Sequence, residues 1–273
     1  MTGRIHDLED SVEVACRLLA QPGAEASPEP IPDGPGVVRA VIAAVRRRIG
    51  GPAVYGGAAR GPYVRWTLED RVLLLSRSTA TTLQLAVWDP HGLAEAERAY
   101  FDAALHDIDF AHLPYMWQLH VNPPWPPPSR VAAASDWFTL EASIAALLRS
   151  CAVYVPQVLP PRGHLGFNIT AADNGRAVGV VAQSGEDLTV LVDDRARPEP
   201  TPHDEMVRRG WDRPLAGWWE HAVLDPDETA HAAGLLVNEL RRGAQTAPTG
   251  LRVTDMDSDP GRLVLPGLAV DRT

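Results

Sequence analysis

The chain of 273 residues contains no lysine and only two cysteines. Because every basic residue is arginine, we attribute the arginine content to coding preference and give it no functional weight. Cys16 and Cys151 both fall on the apolar face of a predicted helix. Two buried free thiols are therefore expected. A cysteine nucleophile is not expected, because burial raises the pKa of a thiol.

Long apolar runs are also lacking, since none approaches the roughly 20 residues that cross a bilayer. The segment from Met1 to Asp10 is polar and acidic and does not resemble a signal peptide. The 35 acidic and 25 basic residues give a net charge of −10. This balance disfavours nucleic-acid binding, which needs a clustered basic surface. We therefore expect a cytoplasmic protein that binds neither membranes nor nucleic acids.

Motifs for catalysis and cofactors are missing as well. There is no phosphate-binding glycine loop, no paired-cysteine or HExxH zinc motif and no serine elbow. The acidic stretch 255–260 lacks the glycine and glutamate of a calcium loop. His106 and His112, beside Asp107 and Asp109, could form a metal or acid–base site, but solvated loop residues are the favoured interpretation. We predict no cofactor, no metal and no catalytic residue.

The sequence is instead rich in secondary-structure patterns. In the first half, helical spacing alternates with the two-residue period of strands. A proline- and glycine-rich linker is predicted over 21–36, and a proline-rich loop follows residue 121. The predicted elements are helices over 5–20, 38–49, 92–105 and 139–155, a three-strand antiparallel meander over 62–88 with a turn at 69–70, and a fourth strand over 115–121.

The second half repeats this organisation. Three strands over 164–170, 176–183 and 187–194 are followed by a short helix over 203–209. A longer helix begins at Asp225, which supplies an N-cap followed by a proline. The tail over 251–267 adds one or two edge strands. The sequence thus predicts an α+β fold with two modules, 1–158 and 159–273, each an antiparallel β-meander with flanking helices.

Three of the eight tryptophans lie in the stretch GWDRPLAGWWEH, residues 210–221. Trp211 directly follows a helix C-cap, where an apolar side chain commonly folds back onto the helix. Trp218 and Trp219 are expected to begin the next turn and to pack on the meander. We interpret the stretch as a structural clamp between helix and sheet, with an aromatic binding patch as the alternative.

The same stretch resembles the YbjN/TY-Chap group, which is common in actinobacteria and similar in fold to type III secretion chaperones. The matching positions are Gly210, Trp211, Pro214 and Trp218, followed by the helix from Asp225 to about Arg242. Gly217 departs from the pattern, which has an asparagine before the later tryptophan. The resemblance covers 160–253 and implies an α+β fold without catalysis. It also implies binding of an extended protein or peptide segment, often by a homodimer.

The alternation in the first meander predicts two different sheet faces. One face is apolar and needs helices to cover it. It comprises Val64, Trp66, Leu68, Leu83, Leu85, Val87, Trp117 and Leu119. The opposite face mixes aromatic side chains, arginine and amides, as binding hot spots do. It comprises Tyr63, Arg65, Gln84, Trp88, Gln118 and His120.

We predict that a partner docks on this second face through Tyr63, Arg65, Trp88, Gln118 and His120, with Arg65 and Trp88 as anchors. The alternative is that the second module packs there. The favoured function is a non-catalytic, chaperone-like or adaptor-like module that binds a protein or peptide client. The alternatives are an enzyme, an essential subunit of an enzyme complex in peptide or small-molecule maturation, and an immunity protein whose acidity suits a basic toxin.

Overall fold

A computed structural model describes residues 3–21, 28–68, 70–107, 109–122, 128–171, 175–195, 201–242 and 247–272. The fold is α+β, as the sequence predicts, with two sheets that are each built around a meander and flanked by helices. The helices are α1 (Gly3–Leu19), α2 (Val37–Ile49), α3 (Pro90–Asp107), α4 (Trp137–Val158), α5 (His203–Arg208) and α6 (Thr229–Arg241).

The first sheet has seven strands, and every neighbouring pair is antiparallel. Its strands are β1 (Glu29–Pro32), β2 (Val54–Gly57), β3 (Pro62–Leu68), β4 (Arg71–Thr79), β5 (Thr82–Trp88), β6 (Trp117–His120) and β13 (Arg262–Val264). Their spatial order is β1-β5-β4-β3-β2-β6-β13. The predicted meander is therefore the centre of a wider sheet.

The second sheet also has seven strands, and only its last pair, β12 with β14, is parallel. Its strands are β7 (His164–Ala171), β8 (Ala177–Gln183), β9 (Leu188–Asp193), β10 (Arg213–Leu215), β11 (Trp218–Val223), β12 (Leu251–Asp255) and β14 (Asp271–Arg272). Their spatial order is β10-β11-β9-β8-β7-β12-β14. The predicted three-strand meander of the second half is confirmed as β7-β8-β9.

Two strands of the first sheet lie where the sequence predicted none. Part of the expected linker forms β1, which pairs with β5 and buries Ile31. Its two prolines are tolerated because β1 is an edge strand. β2 lies in a glycine-containing stretch, and its glycines permit close packing. A Cβ on Gly56 would lie 2.7 Å from the carbonyl oxygen of Trp117.

The tryptophan-rich stretch forms a β-hairpin. Trp218 and Trp219 begin the strand β11 rather than the next turn, and this strand pairs with β9 of the second meander. The hairpin closes at Ala216 and Gly217, both of which have positive φ, as a two-residue type I′ turn requires. Trp211 is only 1% exposed, as expected for a residue that packs back after a helix.

The predicted apolar face of the first sheet is confirmed as core, apart from its rim. Trp66, Trp117 and Leu119 are buried there, whereas Leu68 at the end of β3 is 37% exposed. The helix α4 packs against strands of both sheets and against α6. Residues after 158 also return to the first sheet, because β13 pairs with β6. The division into 1–158 and 159–273 stays a prediction.

By length and composition α4 could cross a membrane, so the expectation that no such apolar stretch exists is wrong. The sequence reading ended this helix at residue 155 because a proline follows, but Pro156 lies within its last turn. Half of the stretch is buried inside the protein. Its contacts with both sheets account for its apolar composition.

Candidate functional site

The register of the first sheet places the predicted partner-binding residues on one face. Tyr63 and Gln118 lie opposite the same residue of β2, and Arg65 and His120 lie opposite another residue two positions away. Directly opposed residues of antiparallel strands project from the same face, and so do residues two apart along a strand. These four side chains are therefore neighbours on the sheet.

Gln84 and Trp88 belong to the same face. Leu74 of β4 lies opposite both Arg65 of β3 and Ala86 of β5. Gln84 and Trp88 stand two residues to either side of Ala86 on β5, so they project in the same direction. The sequence alternation thus assigned all six residues to the correct face.

Most of this face is not open to a partner. Tyr63, Arg65, Gln118 and His120 are buried, while Trp88 is partly exposed. A buried side chain cannot act as an exposed anchor, so at these four positions the face is internal. The helix α3 contributes to the cover, because one of its side chains accepts a hydrogen bond from Tyr63. Of the two predicted anchors, only Trp88 is partly accessible.

Glu97 of α3 is the centre of a buried polar cluster on this face. The Tyr63 hydroxyl donates a hydrogen bond to its Oε1, and the Tyr115 hydroxyl donates to its Oε2 at 3.3 Å. Burial raises the pKa of Glu97, while the positive charge of Arg65 opposes that rise. Burial also raises the pKa of both tyrosines, so they remain hydrogen-bond donors at neutral pH.

His120 and Gln118 form a second polar pair on the same face. The Nε2 of His120 lies 2.8 Å from the Oε1 of Gln118, so that nitrogen carries the donated proton. Burial and the charges of Arg65 and Arg262 lower the pKa of His120 to about 4. His120 is therefore neutral at physiological pH and offers no positive charge to a client.

Beside this cluster, a cleft of about 1010 Å³ lies between α3 and strands β4 and β5. Of the six residues predicted on the face, Tyr63, Gln84 and Trp88 line it. Tyr100 of α3 also lines the cleft and is 57% exposed. The indole N–H of Trp88 has no acceptor among the described residues. The cleft thus offers aromatic surface and, at Glu97, a buried carboxyl group.

Three arginines contribute positive charge to the lining of the cleft. Arg77 pairs with Asp33 at 2.5 Å, and Arg149 pairs with an exposed aspartate of the second half. Arg60 lies 3.2 Å from His112 and has no carboxylate within ion-pair distance in the described parts of the chain. Arg60 is therefore the arginine of this lining whose charge no carboxylate offsets among the described residues.

Sequence reasoning missed Glu97, although the helix pattern contains a usable signal. Leu93, Glu97 and Phe101 follow one another at four-residue spacing, and all three are buried. A charged residue in the middle of an apolar helical stripe needs a buried partner. That exception indicates a polar site beneath α3, which is where the two tyrosines lie.

Of the other candidates for chemistry, His112 lines the cleft beside α3, whereas the two cysteines do not. His112 and Asp109 lie 2.6 Å apart but are exposed, in agreement with solvated loop residues, while the side chain of His106 lies outside the described residues. Cys16 and Cys151 are buried free thiols, and burial raises the pKa of both. Across the described ranges, no three potential metal ligands come together.

A second buried polar cluster has a structural role. Arg176, which precedes β8, forms an ion pair with Glu239 of α6, and both side chains are buried. Asp194 accepts hydrogen bonds of 2.8 Å from the backbone and the hydroxyl of Thr201. These contacts fix α6 and the segment before α5 against the second sheet.

Fold and site together define an α+β protein with an aromatic cleft over a buried Glu–Tyr cluster. No protein-family model matches the chain, and no curated protein matches it either. The resemblance to the YbjN/TY-Chap group therefore stays a prediction. Its motif residues occupy the junction from α5 to β11, away from the lining of the cleft.

Proposed function

We propose that the protein is a non-catalytic binding protein that holds an extended segment of a client protein in the cleft beside α3. The observation that carries this proposal is the volume of the cleft, about 1010 Å³. This is at the upper end of the roughly 300–1,000 Å³ typical of small-molecule pockets. Several residues of an extended chain fit in such a space. The resemblance to the YbjN/TY-Chap group supports the same class of function.

The lining suits a peptide. Trp88 and Tyr100 supply aromatic surface that loses little conformational entropy on binding. Arg60 favours a client segment that carries acidic side chains. Homodimer formation and a cytoplasmic location belong to the same proposal and rest on the sequence.

Acid–base catalysis in the same cleft is the second candidate function. Glu97 favours it, because burial raises the pKa of this carboxyl group while two tyrosine hydroxyls fix its orientation. Enzymes tune carboxyl groups in this way when a general acid is required near neutral pH. An enzyme and a client-binding protein therefore make different predictions for Glu97.

The binding proposal is tested by selecting peptides from a random display library against the intact protein. Dissociation constants of synthetic copies are then measured for the native protein and for Trp88→Ala and Tyr100→Ala. Loss of an aromatic anchor is expected to weaken binding about tenfold or more. Phe138→Ala is the matched control, because Phe138 is 82% exposed and lies outside the cleft.

The proposal is contradicted if no selected peptide binds saturably. It is also contradicted if Phe138→Ala weakens binding as much as Trp88→Ala and Tyr100→Ala do. Glu97→Gln separates the two candidate functions. If the protein only binds clients, the Glu97→Gln variant is expected to keep its affinity for peptide. Thermal melting verifies that this variant is folded. Selected peptides that are chemically converted by the native protein, but not by Glu97→Gln, would establish the enzyme instead.

A further inference from the structure

A second cleft, separate from the one beside α3, lies at the junction between the two halves of the chain. Its volume is about 530 Å³. Its walls come from α2, from the C-terminal end of α4 with the loop that follows, and from the turn between β8 and β9. No residue of the cleft beside α3 lines it.

Three arginines converge on this junction cleft: Arg39 and Arg46 from α2, and Arg162 from the loop after α4. None of them has a carboxylate within 4.0 Å among the described residues. Their neighbours on α2 behave differently, since Arg47 and Arg48 pair with the carboxylate of Glu9 at 2.6 and 2.8 Å. The unpaired arginines of α2 are thus those that face the cleft.

The proline-rich end of α4 explains why Arg39 lies here. The carbonyl of Pro156 would normally accept a hydrogen bond from the residue four positions later, but Pro160 has no N–H to donate. The guanidinium of Arg39 donates to this carbonyl instead, with its Nε at 2.9 Å. Arg39 is thereby held at the cleft, while the guanidinium groups of Arg46 and Arg162 have no hydrogen-bond partner in the described ranges.

Tyr55 adds a hydroxyl group to the same cleft. Burial raises the pKa of Tyr55, while the positive charge of Arg46 opposes the rise and the negative charge of Asp259 adds to it. The Tyr55 hydroxyl is therefore a protonated donor close to Arg46. Asp259 does not belong to the lining. Gln157, Ser184 and Gly185 also line the cleft, and the rest of the wall is apolar, namely Ile42, Ala43, Val158, Leu159, Pro160 and Pro161.

We propose that the junction cleft binds a small organic anion, with its oxyanion head on Arg46, Arg162 and Tyr55 and an apolar body against the α2–α4 wall. Guanidinium groups bind carboxylate and phosphate oxygens through paired hydrogen bonds, and a nearby hydroxyl adds another. Carboxylates and phosphate monoesters share this head-group chemistry. This inference is independent of the proposed function of the cleft beside α3.

Three probes that differ only in the head group test the proposal: benzoate, phenyl phosphate and neutral benzamide. Each is titrated into the full-length protein and followed by NMR. We expect at least one anionic probe to bind saturably and benzamide to bind at least about tenfold more weakly. The double variant Arg46→Gln/Arg162→Gln is expected to weaken anion binding about 10- to 100-fold, as loss of charged hydrogen bonds does.

Arg98→Gln is the control, because Arg98 is exposed on α3 and lies outside the junction cleft. It is expected to leave the affinity unchanged, and melting curves of all variants verify that they fold. Preference between benzoate and phenyl phosphate identifies the head group. The proposal is overturned if neither anion saturates up to about 10 mM, if benzamide binds equally well, or if the folded double variant retains its affinity.

Discussion

Trp211 lies at the junction between α5 and the second sheet and is buried there. Its backbone N–H donates to the Met206 carbonyl at 3.1 Å, and its ring is almost fully buried. Gly210 precedes it with a φ of 98°, which lets the chain reverse after the helix. Trp211→Ala is expected to lower the free energy of unfolding by about 3–5 kcal/mol, measured by urea denaturation.

Trp218→Ala is the control for this prediction. Trp218 is partly exposed, and the guanidinium of Arg195 lies 5.0 Å from its ring centroid. Its removal should cost less than half as much as the removal of Trp211. Equal costs for the two variants, or an unchanged stability of Trp211→Ala together with lost peptide binding, would favour an aromatic binding patch over a structural clamp.

At the residue scale, the sequence predicted which face each strand residue occupies but not what covers it. Alternation placed Trp66 and Trp117 in the core and Tyr63 and Arg65 on the opposite face. Whether that opposite face is exposed depends on where α3 lies. This is decided by packing between elements far apart in the chain, such as the contact between Tyr63 and Glu97. Periodicity within one strand contains no such information.

At the element scale, the N-cap at Asp225 was predicted from local chemistry and is present, although it caps a 3-10 turn and α6 itself begins at Thr229. Asp225 accepts a hydrogen bond of 2.9 Å from the Asp227 backbone, and the Glu228 side chain returns to the N–H of Asp225 at 3.4 Å, which completes a capping box. A 3-10 turn over Pro226–Glu228 precedes the α-helix itself. Local hydrogen bonds suffice to define such a start.

Asp225→Ala is expected to lower the free energy of unfolding by about 1 kcal/mol, because alanine cannot accept the hydrogen bond and a backbone N–H is left unpaired. Thermal and urea denaturation measure the change. Asp225→Asn is the matched variant, since asparagine caps helices as well as aspartate does. A similar loss for both variants would mean that charge, rather than the cap hydrogen bond, stabilises this helix start.

The sequence missed two proline-containing edge strands, β1 and β10. β1 contains two prolines and β10 contains one, so their local composition is typical of loops. β1 pairs with β5 and β10 with β11, at the edges of the two sheets. An edge strand pairs with a neighbour on one side only, so it needs backbone donors on that side alone. A strand can therefore form there although proline has a low strand propensity.

At the scale of the whole molecule, the sequence predicted the α+β class and the repeated meander but not the return of the chain. Strand β13 comes after every strand of the second sheet except β14, yet it pairs with β6 of the first sheet. The residue pattern of the tail predicts that a strand forms there, but it does not predict which distant strand becomes its partner. The residues that line the junction cleft also come from both halves.

This return of the chain predicts that the two halves unfold together. Leu263 of β13 is buried against the first sheet and belongs to the segment that follows the second meander. α4 adds a second connection, since it packs against both sheets. Leu263→Ala should cost about 2–5 kcal/mol. Hydrogen exchange should then show lost protection in β7–β9 as well as in β2 and β3.

Val180→Ala in β8 is the reciprocal variant, because Val180 is buried in the second sheet. It should weaken protection in the first sheet too, and each variant should show one transition when circular dichroism and tryptophan fluorescence are compared during urea unfolding. If each substitution affects only its own sheet and two transitions separate, then 1–158 and 159–273 fold independently. In that case β13 is only an attachment to the first sheet, and the junction cleft lies between two separately stable units.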